Sequence, residues 1–371
     1  MTDSLRGAAA ERLPDFPWDR LAAASEQARA HPGGLVDLSV GTPVDPVPAL
    51  VQQALAAASN APGYPTTQGS AQLRDAAVRW LQRRLGVTTV GADDVLPVNG
   101  SKELVAWLPF LLGVGPGQRV VVPALAYPTY EIGARLSGAD VVATDSLLAL
   151  GPARVSMVWV NSPSNPAGRV LPVDHLAKVV AWARERGAVV VSDECYVELG
   201  WEERPVSVLH PDVCGGSSSG LLVVHSMSKR SNLAGYRAGF VTGDSGIIAS
   251  LLRARKHAGM MMPTPVQAAM TAALEDDAHV AEQRQRYRGR RELLRAALIE
   301  AGLRIDHSQA GLYLWASRDE PCWATVGWLA ERGVLVAPGD FYGAGGAQHV
   351  RVSLTATDED IETAAARISP T

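Results

Sequence analysis

Apolar and polar residues fall in blocks along this chain. Short, nearly continuous apolar runs recur between segments whose apolar residues return at helical spacing. The runs at Val95–Val98, Arg119–Pro123, Asp140–Ala143, Val155–Val160, Ala188–Val191, Leu221–Val224 and Tyr236–Thr242 predict strands. The spaced segments Ala71–Arg84, Lys102–Leu112, Glu131–Leu136, Val173–Arg186 and Ser245–Lys256 predict helices between them. Strands without a polar face, separated by helices, imply an α/β fold whose mostly parallel sheet is covered on both sides.

The pattern differs at both ends. Prolines punctuate Leu13–Trp18, and helices are predicted at Trp18–Ala30, ended by His31-Pro32-Gly33-Gly34, and at Val47–Ser59. Beyond Met262, helices at Pro265–Leu274, Ala278–Ala301 and Trp323–Arg332 mix with strands at Leu312–Ala316, Val334–Ala337 and His349–Leu354. The expected organisation is an N-terminal arm over 1–40, a large domain over 41–262 and a smaller α+β domain over 263–371. Arginines at 284, 286, 288, 290, 291 and 295 interleave with Glu282, Glu292 and Glu300, which predicts a solvated helix face.

Composition narrows the function. The 371 residues are 47% hydrophobic and 19% charged, enough for a large core, and the net charge is −4. That balance argues against a nucleic-acid or membrane-surface partner. No apolar stretch is long enough for a membrane span and no signal peptide is visible, so a cytoplasmic protein is expected. The three cysteines, Cys195, Cys214 and Cys322, and the scattered histidines show no ligand spacing, so no metal is expected. Only four lysines occur, Lys102, Lys178, Lys229 and Lys256, so any amine chemistry has four candidates.

Two motifs are set aside. Gly216-Ser217-Ser218-Ser219-Gly220 fits a nucleophile pattern but precedes a strand instead of following one, and reads as a turn. Gly113, Gly115 and Gly117 also precede a strand and read as turn glycines. Four other segments do follow predicted strands, where doubly wound folds place ligands. They are Asn99-Gly100-Ser101-Lys102, Asn161-Ser-Pro-Ser-Asn165-Pro166, Ser192-Asp193-Glu194-Cys195-Tyr196 and His225-Ser226-Met227-Ser228-Lys229. Arg237 is placed at the start of the next strand. Together they offer a lysine, a carboxylate, a phenol, an amide, hydroxyls, a guanidinium and the N–H groups of a helix start. A lysine, an acid partner for a pyridinium nitrogen and a phosphate cup are what pyridoxal phosphate requires.

These segments resemble the class I/II aminotransferases of the fold-type I pyridoxal-phosphate superfamily. The likeness runs from Leu38-Ser-Val-Gly41-Thr-Pro43 through Tyr64-Pro-Thr-Thr-Gln-Gly69 to Arg351-Val-Ser-Leu, and is most specific over Ser226–Phe240 and Asn161–Gly168, where Ala167 replaces the commoner Thr. Within the family the chain is most similar to actinobacterial N-succinyldiaminopimelate aminotransferases, through Leu13–Trp18, Gly41–Pro48, Gly100–Trp107 and Arg255–Met260. The resemblance implies a seven-stranded, mostly parallel sheet and a homodimer with shared sites. It implies that Lys229 bonds to the cofactor, that Asp193 pairs with the ring nitrogen, and that Tyr196 and Asn165 reach the ring hydroxyl. Tyr127 would stack on the ring. Gly100, Ser101 and Lys102 would form the phosphate turn, completed by Ser226, Ser228 and Arg237, with Tyr64 reaching the neighbour's phosphate. Arg351 would hold the substrate α-carboxylate, with Gly41 closing over it.

The implied substrates are small amino and oxo acids, with glutamate as donor and N-succinyl-2-amino-6-oxopimelate as acceptor. An aminotransferase for another amino acid and a β-lyase are compatible with the same residues. A non-catalytic sensing domain is disfavoured, because no basic DNA-binding module precedes residue 40. Arg20, Arg169, Arg230 and Lys102 are candidate cations for the distal carboxylates of a succinylated pimelate.

Overall fold

The computed structural model describes residues 13–369. The parts of the expected arm and C-terminal domain beyond these bounds lie outside the described residues. Val36–Asp37 forms a short strand, β1. The seven apolar runs follow as β2 (Val95–Val98), β3 (Arg119–Val122), β4 (Asp140–Ala143), β5 (Met157–Asn161), β6 (Val189–Asp193), β7 (Leu221–Ser226) and β8 (Gly239–Gly243). They build one sheet in the order β2-β8-β7-β6-β5-β3-β4. The ladders from β4 to β7 are parallel, and β8 runs antiparallel to both its neighbours.

Helices α1 (Ala22–Arg29), α2 (Ala49–Ala57), α3 (Ala71–Leu85), α4 (Ser101–Leu111), α5 (Thr129–Ser137) and α6 (Val173–Glu185) precede two one-turn helices, α7 (Pro211–Cys214) and α8 (Met227–Arg230). Then come α9 (Ser245–Ala258), α10 (Thr264–Glu275), α11 (Ala278–Glu300), α12 (Cys322–Ala330) and α13 (Asp358–Ile368). One face of the large sheet buries Trp80, Val190 and Phe240 against α2, α3, α6 and α10. The other buries Tyr130, Trp159 and Val224 against α4, α5 and α9. Because both faces are covered, the strands carry no polar alternate face. A third cluster, with Tyr287, Leu314, Trp315 and Ile361, lies on the second sheet. That sheet is antiparallel in the order β12-β13-β10-β9, from β9 (Arg304–Asp306), β10 (Tyr313–Ser317), β12 (Ala337–Pro338) and β13 (His349–Ser353). β11 (Val334–Leu335) instead pairs in parallel with β1. No helix among the described residues is long and apolar enough to cross a membrane.

Four expectations need correction. Tyr236–Ala238 lies outside β8, because Arg237 turns the chain at φ 55° and donates from Nη1 to Ala234 O at 2.9 Å. The predicted strand Val334–Ala337 is two strands belonging to different sheets. The helix predicted from Trp18 begins as a 3₁₀ turn over Pro17–Leu21 before α1. The arginine-rich face of α11 is only partly solvated: Arg290 is 3% exposed and Arg291 is buried, because each meets acids from other elements.

Candidate functional site

Parallel strands bring their C-terminal ends to one edge of the sheet. The register sets Asn161 of β5 beside Asp193 of β6, and Asp193 beside Val224 of β7. Asn161 Nδ2 donates to the carbonyl of Asp193 at 2.8 Å and its Oδ1 accepts from the N–H of Asn165 at 2.7 Å, so one amide ties two strand ends. The Asp193 carboxylate is buried. It accepts from the Tyr130 hydroxyl at 2.8 Å and from the Cys195 N–H at 3.1 Å. Burial pushes its pKa up, and those two donors offset only part of the rise. A buried carboxylate of this kind favours a cation beside it. Tyr130 is a site residue that sequence reasoning missed. The available signal was its place three residues after Tyr127, just inside the start of α5, and the two ring centroids are 5.6 Å apart.

Lys229 lies in the single turn of α8, directly after β7. Its amine donates to the carbonyl of Gly41. Burial lowers its pKa, the Tyr313 hydroxyl opposes that shift, and the cations of Arg351 and Arg237 add to it. A Cβ at Gly41 would run into the Tyr313 hydroxyl, so only glycine lets this segment approach. The Tyr313 hydroxyl is 3.1 Å from that of Tyr196. Burial alone would raise the Tyr313 hydroxyl, but the cations of Arg351 and Lys229 outweigh it and hold the group below its ordinary value. Tyr196 carries the opposite shift, upward, from burial and its neighbour Tyr313. Tyr313 was also missed. Inside a short apolar strand it has no local signal.

Arg351 on β13 is fully in register with Trp315 and Ala337 and is buried. It donates from Nη1 to Asn165 Oδ1 at 2.9 Å and from Nη2 to Ser39 O at 2.7 Å, while Nε has no partner. Its guanidinium stacks over Tyr313 at 3.9 Å and lies 5.0 Å from the Tyr342 ring. The Tyr342 hydroxyl is buried and unpartnered.

The N-terminus of α4 completes the edge. Gly100, at φ 83°, caps the helix without a capping side chain, so the first N–H groups stay free for an anion. A Cβ there would come 2.7 Å from Cζ of Arg237, so the glycine makes room for the guanidinium. Ser226 Oγ caps α8 by accepting from the Ser228 N–H at 3.1 Å, and both serines are buried. Lys102 is exposed, its Nζ 5.8 Å from the centre of the Phe16 ring, so at this turn only its backbone faces inward with Ser101. Burial pushes the Tyr127 hydroxyl up to about 12. Tyr64 stands apart, 96% exposed. Arg230 is not available to a substrate: it is buried on the other side of the sheet against Glu198 and donates to Ala273 O at 2.8 Å. Arg20 is paired with Asp340 at 2.9 Å, and Arg169 is exposed. The donor set fits pyridoxal phosphate, with a carboxylate for the ring nitrogen, a buried amine whose charged form is disfavoured, and a glycine cradle of free N–H groups beside a guanidinium.

Comparisons with known proteins agree. The model of the family described as aminotransferase class I and II matches residues 34–368. The chain is 63% identical to a probable aminotransferase, Rv1178, of Mycobacterium tuberculosis, over 98% of this chain and 87% of that one. It is 60% identical to 4-dedimethylamino-4-oxo-anhydrotetracycline transaminase OxyQ of Streptomyces rimosus, over 96% and 99%. A solved structure of a probable N-succinyldiaminopimelate aminotransferase from Thermus thermophilus superposes with a TM-score of 0.85 at 28% identity, over 95% and 99%. The chain belongs to the class I and II aminotransferases, pyridoxal-phosphate-dependent enzymes of fold type I.

Proposed function

We propose that this enzyme moves an amino group from glutamate to N-succinyl-2-amino-6-oxopimelate. The observation that carries the reading is that Arg351, reaching in from the second sheet to Asn165, meets Lys229 and Asp193 at the C-terminal edge of the large sheet. The name of the Thermus thermophilus neighbour supports the succinylated substrate.

In this reading Arg351 binds the α-carboxylate through its fork and fixes which bond to Cα faces the cofactor ring. Bound pyridoxal phosphate supplies an electron sink for the Cα–H bond. Asp193, held by Tyr130 and the Cys195 N–H, keeps the ring nitrogen protonated. Lys229 Nζ, whose charged form burial disfavours, would hold the cofactor and, once released by the substrate amine, would be the base that accepts and gives back the Cα proton. The paired hydroxyls of Tyr196 and Tyr313 supply a proton donor at the ring oxygen. Arg20 is the cation for the distal carboxylates, reaching them by exchanging Asp340, and Lys102 joins it by swinging its amine away from the Phe16 ring. The active unit is a homodimer with shared sites.

A second reading, transfer to a cyclic ketone, is favoured by the 60% identity to OxyQ and by the aromatic walls Tyr127, Tyr313 and Tyr342. Half-reactions decide. Glutamate alone should convert the bound cofactor to its amino form, which a β-lyase would not do. The amino form should then react fastest with N-succinyl-2-amino-6-oxopimelate. Equal rates with simple aliphatic or aromatic oxo acids would remove the succinylated assignment and leave the aminotransferase intact.

A further inference from the structure

Behind Asp193, on the sheet face away from Tyr130, three polar atoms are buried without a partner: Glu194 Oε2, His225 Nε2 and Arg230 Nη2. All three residues line one cavity of about 10 Å³, with Trp80 and Glu198 also in its wall. Glu194 Oε2 and His225 Nε2 are 3.9 Å apart, too far for a direct hydrogen bond. Unpartnered buried groups of this kind are costly, and polar groups held just beyond bonding distance are commonly bridged. A site for one water needs about 10–15 Å³ and two to four polar partners.

We propose that Glu194, His225 and Arg230 hold one buried water molecule that joins the strand ends carrying Asp193 and Lys229. Each of the three groups has a complementary role: Arg230 Nη2 and the protonated Oε2 of Glu194 donate to the water oxygen, and the water donates a hydrogen to His225 Nε2. Burial pushes Glu194 up to about 7 and His225 down to about 3, so each is predominantly uncharged in mildly acidic solution and the site suits a neutral ligand. The charge of Arg230 is met by Glu198, which also takes the Arg84 Nε hydrogen bond at 2.8 Å. Glu194 already ties three segments: Oε1 accepts from Ser192 Oγ at 3.0 Å and from the Val208 N–H at 2.9 Å, and its own N–H donates to Val224 O at 3.0 Å. The water adds β7 through a side chain, one residue before Ser226. Glu194 and His225 are therefore positioning residues for the cofactor edge.

A crystal structure that resolves ordered solvent tests the site. One well-ordered peak should lie within hydrogen-bond reach of all three atoms. A dry cavity, or a direct Glu194–His225 hydrogen bond, overturns the proposal. The positioning role is read from cofactor retention. Glu194→Gln keeps the shape, the Oε1 acceptor and a donor toward the water, and should keep both the water and wild-type affinity for pyridoxal phosphate. Glu194→Leu should lose the water and bind the cofactor roughly tenfold more weakly. Wild-type affinity in a Glu194→Leu enzyme shown to lack the water overturns the positioning role. If that variant does not fold, His225→Leu replaces it under the same criteria.

Discussion

At the scale of single residues, the site is decided by groups with more obligations than ordinary side chains. Arg351 already anchors Asn165 and Ser39 while stacked on Tyr313, and only a planar fork can do this and still receive a carboxylate. Arg351→Lys should therefore lower kcat/KM for glutamate by about 10²–10³, with the protein still folded. A fall of less than tenfold in kcat/KM for glutamate would remove Arg351 from carboxylate binding. Glu194 makes a second prediction, in pH. Its pKa is raised from 4.5 to about 7, so the folded state binds a proton that the unfolded chain has released. The resulting stability is present below about 4.5 and is lost as pH rises through about 7. Glu194→Gln lacks this term, so its unfolding free energy relative to wild type should rise from pH 5 to 8 by roughly 3 kcal/mol. Neighbouring Asp193, His225 and Arg230 are common to both proteins, so the difference isolates Glu194. A pH-independent difference in urea unfolding would show that the carboxyl is not held protonated.

At the scale of elements, α11 shows what a charge pattern conceals. Arg290 donates to Asp45 at 2.8 and 2.6 Å and to Asp358 at 2.6 Å, while Gln283 Nε2 donates to Asp45 at 2.6 Å. Burial would raise Asp45, but Arg290 and Gln283 overcome it and hold the carboxyl below its usual range. Asp45 lies four residues past Gly41, so α11 anchors the segment that reaches Lys229. Arg290→Ala should cost about 3–5 kcal/mol in urea unfolding, because it strands a buried carboxylate, while Arg286→Ala on the same helix should cost under about 1 kcal/mol. Similar costs for the two would mean that α11 is anchored by apolar packing alone. The sequence shows an acid-interleaved arginine helix but not that Asp45 returns to it from 245 residues away. Interiors of β2 to β8 were legible because continuous apolar runs must be buried on both faces. Their ends were not, as at Tyr236–Ala238, where apolar character persists into a turn. The segments after β5, β6 and β7 were legible because polar residues abruptly follow apolar strands. Tyr130 and Tyr313 were not, because only the assembled fold brings their hydroxyls to Asp193 and Tyr196.

At the scale of the whole molecule, Tyr64 is the residue that one chain does not explain. It is 96% exposed, and Trp107 and Phe110 on α4 are also exposed, 6.0 Å apart. Exposed aromatic surface of this kind is what a subunit interface would cover. In a C2 dimer the same patch meets itself, so a residue leaving one subunit's surface can enter the other's site. Hybrid dimers test whether Tyr64 does so. One subunit carries Lys229→Ala and the other Tyr64→Ala, with different tags for purification. If Tyr64 serves the neighbour, the Lys229→Ala subunit supplies an intact Tyr64 to the only site that has a lysine. That site is then complete, and the hybrid should show about half the wild-type activity per dimer with wild-type cofactor affinity. If Tyr64 serves its own chain, the lysine-bearing site lacks the phenol, and the hybrid should retain cofactor no better than the Tyr64→Ala homodimer, roughly tenfold more weakly than wild type. The two arrangements contain the same side chains in the same numbers, so the difference reports only which subunit's phosphate each Tyr64 reaches.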